Sequence, residues 1–236
     1  HGRGAGAPTR GQPLRHRTGN HRENPPGRPS DRGAPRALHA AVEGCRQEDR
    51  LARRRSRGAR ARALSLLAPA PEEAPTLVFL HEALGCVDAW REFPANLAAR
   101  LGFGALLYSR AGFGRSGPGV LPLPLDYHRR EALDGLPQML DQAGIRQAVL
   151  VGHSDGGTMA LLRAGTAQDP RVCALVTIAA HVFNEDVTID GIEAAKRNYH
   201  AEFKPRLLRY HGNKASAVFW GWSDIWLIPS FRSWTI

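Results

Sequence analysis

The stretch Leu150-Val151-Gly152-His153-Ser154-Asp155-Gly156-Gly157 constrains what this chain can fold into more than any other. The short apolar run 147–151 predicts a strand, and the apolar run 158–164, closed by Gly165, predicts a helix. The chain must therefore reverse within a few residues. Such a turn crowds the backbone, and glycine two places before and two places after Ser154 removes the β-carbons that would clash. The turn raises the Ser154 hydroxyl clear of the sheet and aims the positive end of a helix dipole at it. The backbone N–H of Asp155 then points to where negative charge would develop on an attacked carbonyl. Ser154 is the candidate nucleophile, and the Asp155 N–H a candidate oxyanion donor.

The flanking sequence alternates strand and helix patterns. Thr76-Leu77-Val78-Phe79-Leu80 is continuously apolar, as a strand buried on both faces must be. A helix over about 89–101 follows, then a strand over 104–108 and a glycine-bearing loop over 109–118. Asp126 is placed to cap a helix running to about Ala143, with Leu133, Leu136 and Leu140 on one face and a kink expected at Pro137. After the elbow helix, 172–178 reads as another strand. This spacing predicts βαβ units: an α/β fold with a mostly parallel sheet and flanking helices.

Charge is unevenly distributed. The chain carries +10 overall, but residues 1–62 hold 16 Arg and 5 acids, and the remainder is close to neutral. The basic balance therefore belongs to an N-terminal stretch, not to the part that can fold. Residues 1–61 are rich in Gly, Pro and Arg and lack apolar periodicity, which predicts a disordered arm. No aromatic residue precedes Phe79, so the arm has no stacking groups for a nucleic acid and is expected to make only nonspecific contact with polyanions. The three cysteines, Cys45, Cys86 and Cys173, are too widely spaced for a zinc site or a disulfide framework. No apolar run reaches membrane-span length, and the run 63–68 is too short and too far along the chain for a secretion signal. A cytoplasmic protein with no membrane partner is the expectation; the oligomeric state is left open.

Four features in order make residues 62–236 resemble the α/β-hydrolase family. The strand 76–80 ends in His81-Glu82-Ala83-Leu84-Gly85, similar to the family's His-Gly oxyanion loop. The strand 104–108 leads into Ser109-Arg110-Ala111-Gly112-Phe113-Gly114-Arg115-Ser116, similar to its Asp-x-Arg-Gly-x-Gly-x-Ser loop. The elbow is the third feature. The strand 172–178, followed by a helical, aromatic segment, resembles the entry into a cap domain. Beyond the arm read from composition over 1–61, the resemblance implies a hydrolase core over 62–180 and the start of a helical cap over 181–236. It further implies a serine hydrolase that attacks a carboxylic ester or related small acyl substrate through Ser154. Oxyanion N–H groups would come from Asp155 and Ala83, and neither a cofactor nor a metal is implied. The serine disfavours epoxide hydrolysis, for which the family uses a carboxylate nucleophile.

The departures carry their own expectations. Glu82 stands where the family has glycine, and Ser109 and Ala111 replace its aspartate and glycine. In the family the acid and then the histidine follow the nucleophile, beyond the cap. This sequence ends at Ile236 inside the cap-like segment, so the expected reading is a truncated member, nearly inactive for want of its acid and base. The alternative is a non-catalytic fragment whose basic arm binds polyanions. Of the remaining candidates, His81 is expected to brace the oxyanion loop and His153 to pack beside the elbow. Glu185 and Asp186 read as solvated charges. His81, Glu82, His153, His181, Trp220 and Trp222 are the candidate pocket-lining residues, while Arg110, Arg115, Arg129 and Arg130 read as surface charge.

Overall fold

A computed structural model describes residues 64–67 and 74–236, all within one compact unit. The expected arm over 1–61 lies outside the described residues. Five strands form one sheet: β1 (Leu64–Leu67), β2 (Thr76–Leu80), β3 (Gly104–Tyr108), β4 (Ala148–His153) and β5 (Val172–Ile178), in the order β1-β3-β2-β4-β5. All pairings are parallel except β1 with β3. β2 and β3, at the centre, are buried along their whole length, as their uninterrupted apolar sequences require.

The two-residue period of the strands divides the core into two layers. Leu77, Phe79, Ala105, Leu107 and Val151 face one side, where α1 (Phe93–Leu101) supplies Ala98 and the preceding turn supplies Trp90. Val78, Leu80, Leu106, Tyr108 and Leu150 face the other. That side is covered by α2 (Tyr127–Arg130), α3 (Leu136–Gln142) and the elbow helix α4 (Asp155–Leu162). After β5 the described chain is mainly helical: α5 (Asp186–Arg197), α6 (Lys204–His211) and α7 (Ala215–Leu227). These helices share a cluster of their own built on Tyr199, Leu207 and Phe219.

Several boundaries differ from expectation. The helix expected from residue 89 begins at Phe93, because Arg91 takes a positive φ and Pro94 fixes the first turn. Asp126 does not cap α2; its carboxylate instead accepts from Arg130 Nε at 2.7 Å. The irregularity expected at Pro137 lies one turn earlier. A wide π turn over Glu131–Gly135 lets the proline enter at the start of α3, where its missing N–H is not needed. The elbow helix begins directly after Ser154 rather than at residue 158. The run 64–67, left without an assignment in the sequence, is the antiparallel strand β1.

Strand β5 forms one edge of the sheet. Among the described residues it pairs with β4 alone, and Leu175, Val176 and Ile178 are 37%, 49% and 39% exposed, so its apolar side chains and free backbone groups together face solvent. An uncovered edge of this kind is a template for self-association. Val176→Lys should slow aggregation measured by light scattering while changing unfolding stability by no more than about 0.5 kcal/mol.

Candidate active site

The elbow has the strain that a nucleophile turn requires. Ser154 sits at φ 51°, ψ −118°, a region L-residues rarely occupy. Holding it there costs on the order of 1–3 kcal/mol, which the surrounding structure must offset. The Ser154 N–H donates to Ile178 O at 2.8 Å, and its carbonyl accepts from Thr158 N at 3.1 Å. Both flanking glycines are forced by close approach: a β-carbon on Gly156 would overlap the Leu80 carbonyl, and one on Gly152 would overlap the backbone of Gly156.

The loop after β2 is held from beneath. The Glu82 carbonyl accepts from His81 Nδ1 (2.8 Å), Arg110 Nη2 (2.9 Å) and Gly85 N (3.1 Å). His81 Nε2 accepts the Arg110 N–H at 3.1 Å, so the ring is neutral with its proton on Nδ1. Burial and the Arg110 charge push His81 well below its ordinary pKa, consistent with that tautomer. Glu82 does not take a positive φ, so its backbone there is not one that only glycine favours.

Arg110 is not surface charge, contrary to expectation; it is 6% exposed and lies 4.7 Å above the Phe113 ring. Its Nη1 is 3.6 Å from the Asp155 carboxylate, which also accepts the Tyr127 hydroxyl at 2.8 Å and lies 3.2 Å from His128 Nε2. Burial alone would raise the Asp155 carboxyl. The neighbouring His128, Arg110 and Tyr127 outweigh it and hold the group well below the usual carboxylate range. Trp226 of α7 donates to the same Tyr127 oxygen at 3.0 Å, tying the helical segment to the elbow. His211 ends α6 and makes a second tie: it accepts from Gly114 N at 2.8 Å and lies 2.9 Å from Leu84 O.

Above the elbow lies a cavity of about 450 Å³. Of the expected residues, Ser154, Asp155, Ala83, Glu82, His181 and Trp222 line it. His81, His153 and Trp220 do not, which corrects their assignment to the pocket. His81 is buried beneath the loop. His153 is the last strand residue before the elbow and turns toward Trp90, at 6.5 Å between ring centroids. Trp220 lies two helical residues from Trp222, hence on the opposite side of α7, and packs on Tyr199. Sequence reasoning missed Arg91, Arg206 and Tyr210, which also line the cavity. No local pattern marks them, because the wall forms only when α6 folds over the loop.

Among the described residues, no histidine is hydrogen-bonded to the Ser154 hydroxyl. His181 shares the cavity wall with it, and its Nδ1 is 3.9 Å from Glu185 Oε2. No group of ligands able to hold a metal occurs among the described residues, and no helix there is long and apolar enough to cross a membrane.

Arg110→Met leaves the Asp155 carboxylate without its cation and should destabilise the fold by about 3–5 kcal/mol in a denaturant titration. His81, His128 and His211 are all lowered, chiefly by burial, so below about pH 6.5 the unfolded chain takes up protons that the native state refuses. Stability should be full above that pH and fall as pH drops toward the lowered values, by up to about 1.4 kcal/mol per pH unit for each histidine. His211→Gln should make that slope shallower in thermal melts.

The sequence model of the alpha/beta hydrolase fold family matches residues 75–223. Epoxide hydrolase 2 of Siraitia grosvenorii is 32% identical over 125 residues, covering 51% of this chain and 38% of that protein. A structure from work on carboxylesterases of the thaumarchaeon Nitrososphaera gargenis aligns with TM-score 0.51 at 19% identity, covering 65% of this chain and 55% of that one. An esterase from Exiguobacterium antarcticum aligns with TM-score 0.54 at 17% identity, covering 75% and 73%. At these identities the structures speak for the fold alone. The chain spans well under half the length of the epoxide hydrolase and just over half that of the thaumarchaeal protein. Because the family match runs from the start of β2, through the elbow, into α7, this chain belongs to the alpha/beta hydrolase family.

Proposed function

We propose that the protein is a serine hydrolase of carboxylic esters or related acyl compounds, with Ser154 as nucleophile. The strained φ of Ser154 at the head of α4 is the observation that carries this reading. The hydroxyl stands at the wall of a cavity that also receives Ala83 and Asp155. Asp155 N–H is the first oxyanion donor, reinforced by the helix dipole. Ala83 N–H is the second. In a trans peptide the C=O and N–H point opposite ways, so the donors that draw the Glu82 carbonyl inward turn the Ala83 N–H outward.

Epoxide opening through a carboxylate nucleophile fits less well. The strained elbow position is a serine, and the adjacent Asp155 carboxylate is committed to Arg110, Tyr127 and His128. The described residues leave the serine without a hydrogen-bonded base. Ester turnover by the chain itself should therefore be slow, by up to about a million-fold against a complete triad, with a residue of roughly a thousand-fold over water from the oxyanion donors.

A fluorophosphonate probe at high concentration should label the protein and fail to label Ser154→Ala; equal labelling of the two would remove Ser154 as nucleophile. Added imidazole, an external base, should accelerate the Ser154-dependent labelling. Fast turnover that imidazole does not improve and that His181→Gln abolishes would instead make His181 the base.

A further inference from the structure

We infer that the cavity beside Ser154 takes a substrate whose apolar body carries a free carboxylate, held by the guanidinium groups of Arg91 and Arg206. The inference deepens the hydrolase reading by naming the substrate class, but the binding it describes does not depend on catalysis.

Both arginines line the cavity that holds Ser154. They reach it from different elements: Arg91 from the turn after Val87–Trp90, Arg206 from the first turn of α6. Neither enters an ion pair among the described residues. Most other arginines there are committed: Arg115 to Asp88, Arg130 to Asp126, Arg163 and Arg171 to Asp169, and Arg232 to Asp186. Arg91 is also held at φ 52°, a position where glycine would be unstrained. A long cationic side chain kept in a disfavoured backbone region at a cavity wall points to use of that side chain.

Two carboxylates line the same cavity. Asp155 is spent on its buried partners, which leaves Glu82 against two guanidiniums. The wall therefore keeps a positive excess at working pH, since arginine does not deprotonate. Guanidinium groups bind carboxylates through paired, charge-assisted hydrogen bonds. Trp222, Trp226, Ile192 and Leu207 add apolar side chains to the same wall. A volume of about 450 Å³ suits a small arylalkyl or medium-chain acid ester.

Tryptophan fluorescence of the full chain, titrated with phenylbutyrate and with the isosteric neutral phenylbutyramide, tests this directly, because Trp222 and Trp226 line the cavity. In roughly 0.15 M salt the carboxylate should bind about tenfold tighter. Arg206→Gln combined with Arg91→Gly should reduce that advantage to within roughly twofold and leave the amide unchanged. The glycine relieves the strained position, so this variant should fold at least as well as the parent. Equal affinities in the parent, no binding of either compound, or a preference that survives loss of both arginines would overturn the inference; the last would place the attraction in the basic N-terminal stretch. Ser154→Ala should bind both compounds as the parent does. A carboxylate preference without fluorophosphonate labelling would thus refute the hydrolase reading alone, and labelling without a preference would refute this inference alone.

Discussion

The buried guanidinium of Arg110 is the contact on which the rest of the site depends. One side of it draws in the Glu82 carbonyl, and the other faces the Asp155 carboxylate. The loop after β2 and the elbow after β4 are thus referenced to a single rigid, planar cation. Such a group can serve two acceptors at once because its donors are fixed in one plane. Its burial against Phe113 removes competing water and strengthens both contacts. The same burial makes each partner indispensable, since a charge left alone there would cost more than the pair contributes.

The helical segment beyond β5 is joined to this centre by directional contacts as well as by apolar packing. Trp226 reaches the Tyr127 hydroxyl, which in turn serves Asp155, so α7 is connected to the elbow through two hydrogen bonds. His211 bridges the loop at Leu84 and the glycine loop at Gly114, and it does so as a neutral ring. Thr158 holds the carbonyl of His181 at 2.6 Å, which sets the path of the chain as it leaves the sheet. Through these ties the cavity wall and the strained serine belong to one structure.

The two faces of the sheet contrast with its ends. Both faces are closed by helices, and the central strands contribute side chains in strict alternation to two separate layers. At the β5 end, apolar side chains remain exposed among the described residues. Neighbouring backbone in a parallel sheet is normally covered, and among the described residues this edge pairs on one side only.

Local sequence determined much of the frame. The strands at 76–80 and 104–108 were legible because a doubly buried strand must be an unbroken apolar run, and 172–178 because its run is just as apolar, although as an edge strand it is largely exposed. The elbow was legible because only glycine at 152 and 156 permits the contacts found there. The short strand β1 was not legible, since four residues carry no period of their own and are strand only by pairing with β3. Tertiary structure alone decided which charges matter. Arg110 reads like any loop arginine until folding encloses it, whereas Arg91 and Arg206, far apart in sequence, meet one cavity because α6 crosses over the loop. Which of His81, His153 and His181 would see the cavity also lay beyond local pattern. That outcome depends on the direction of each side chain once strand, loop and helix are packed, and spacing along the chain does not encode direction across it.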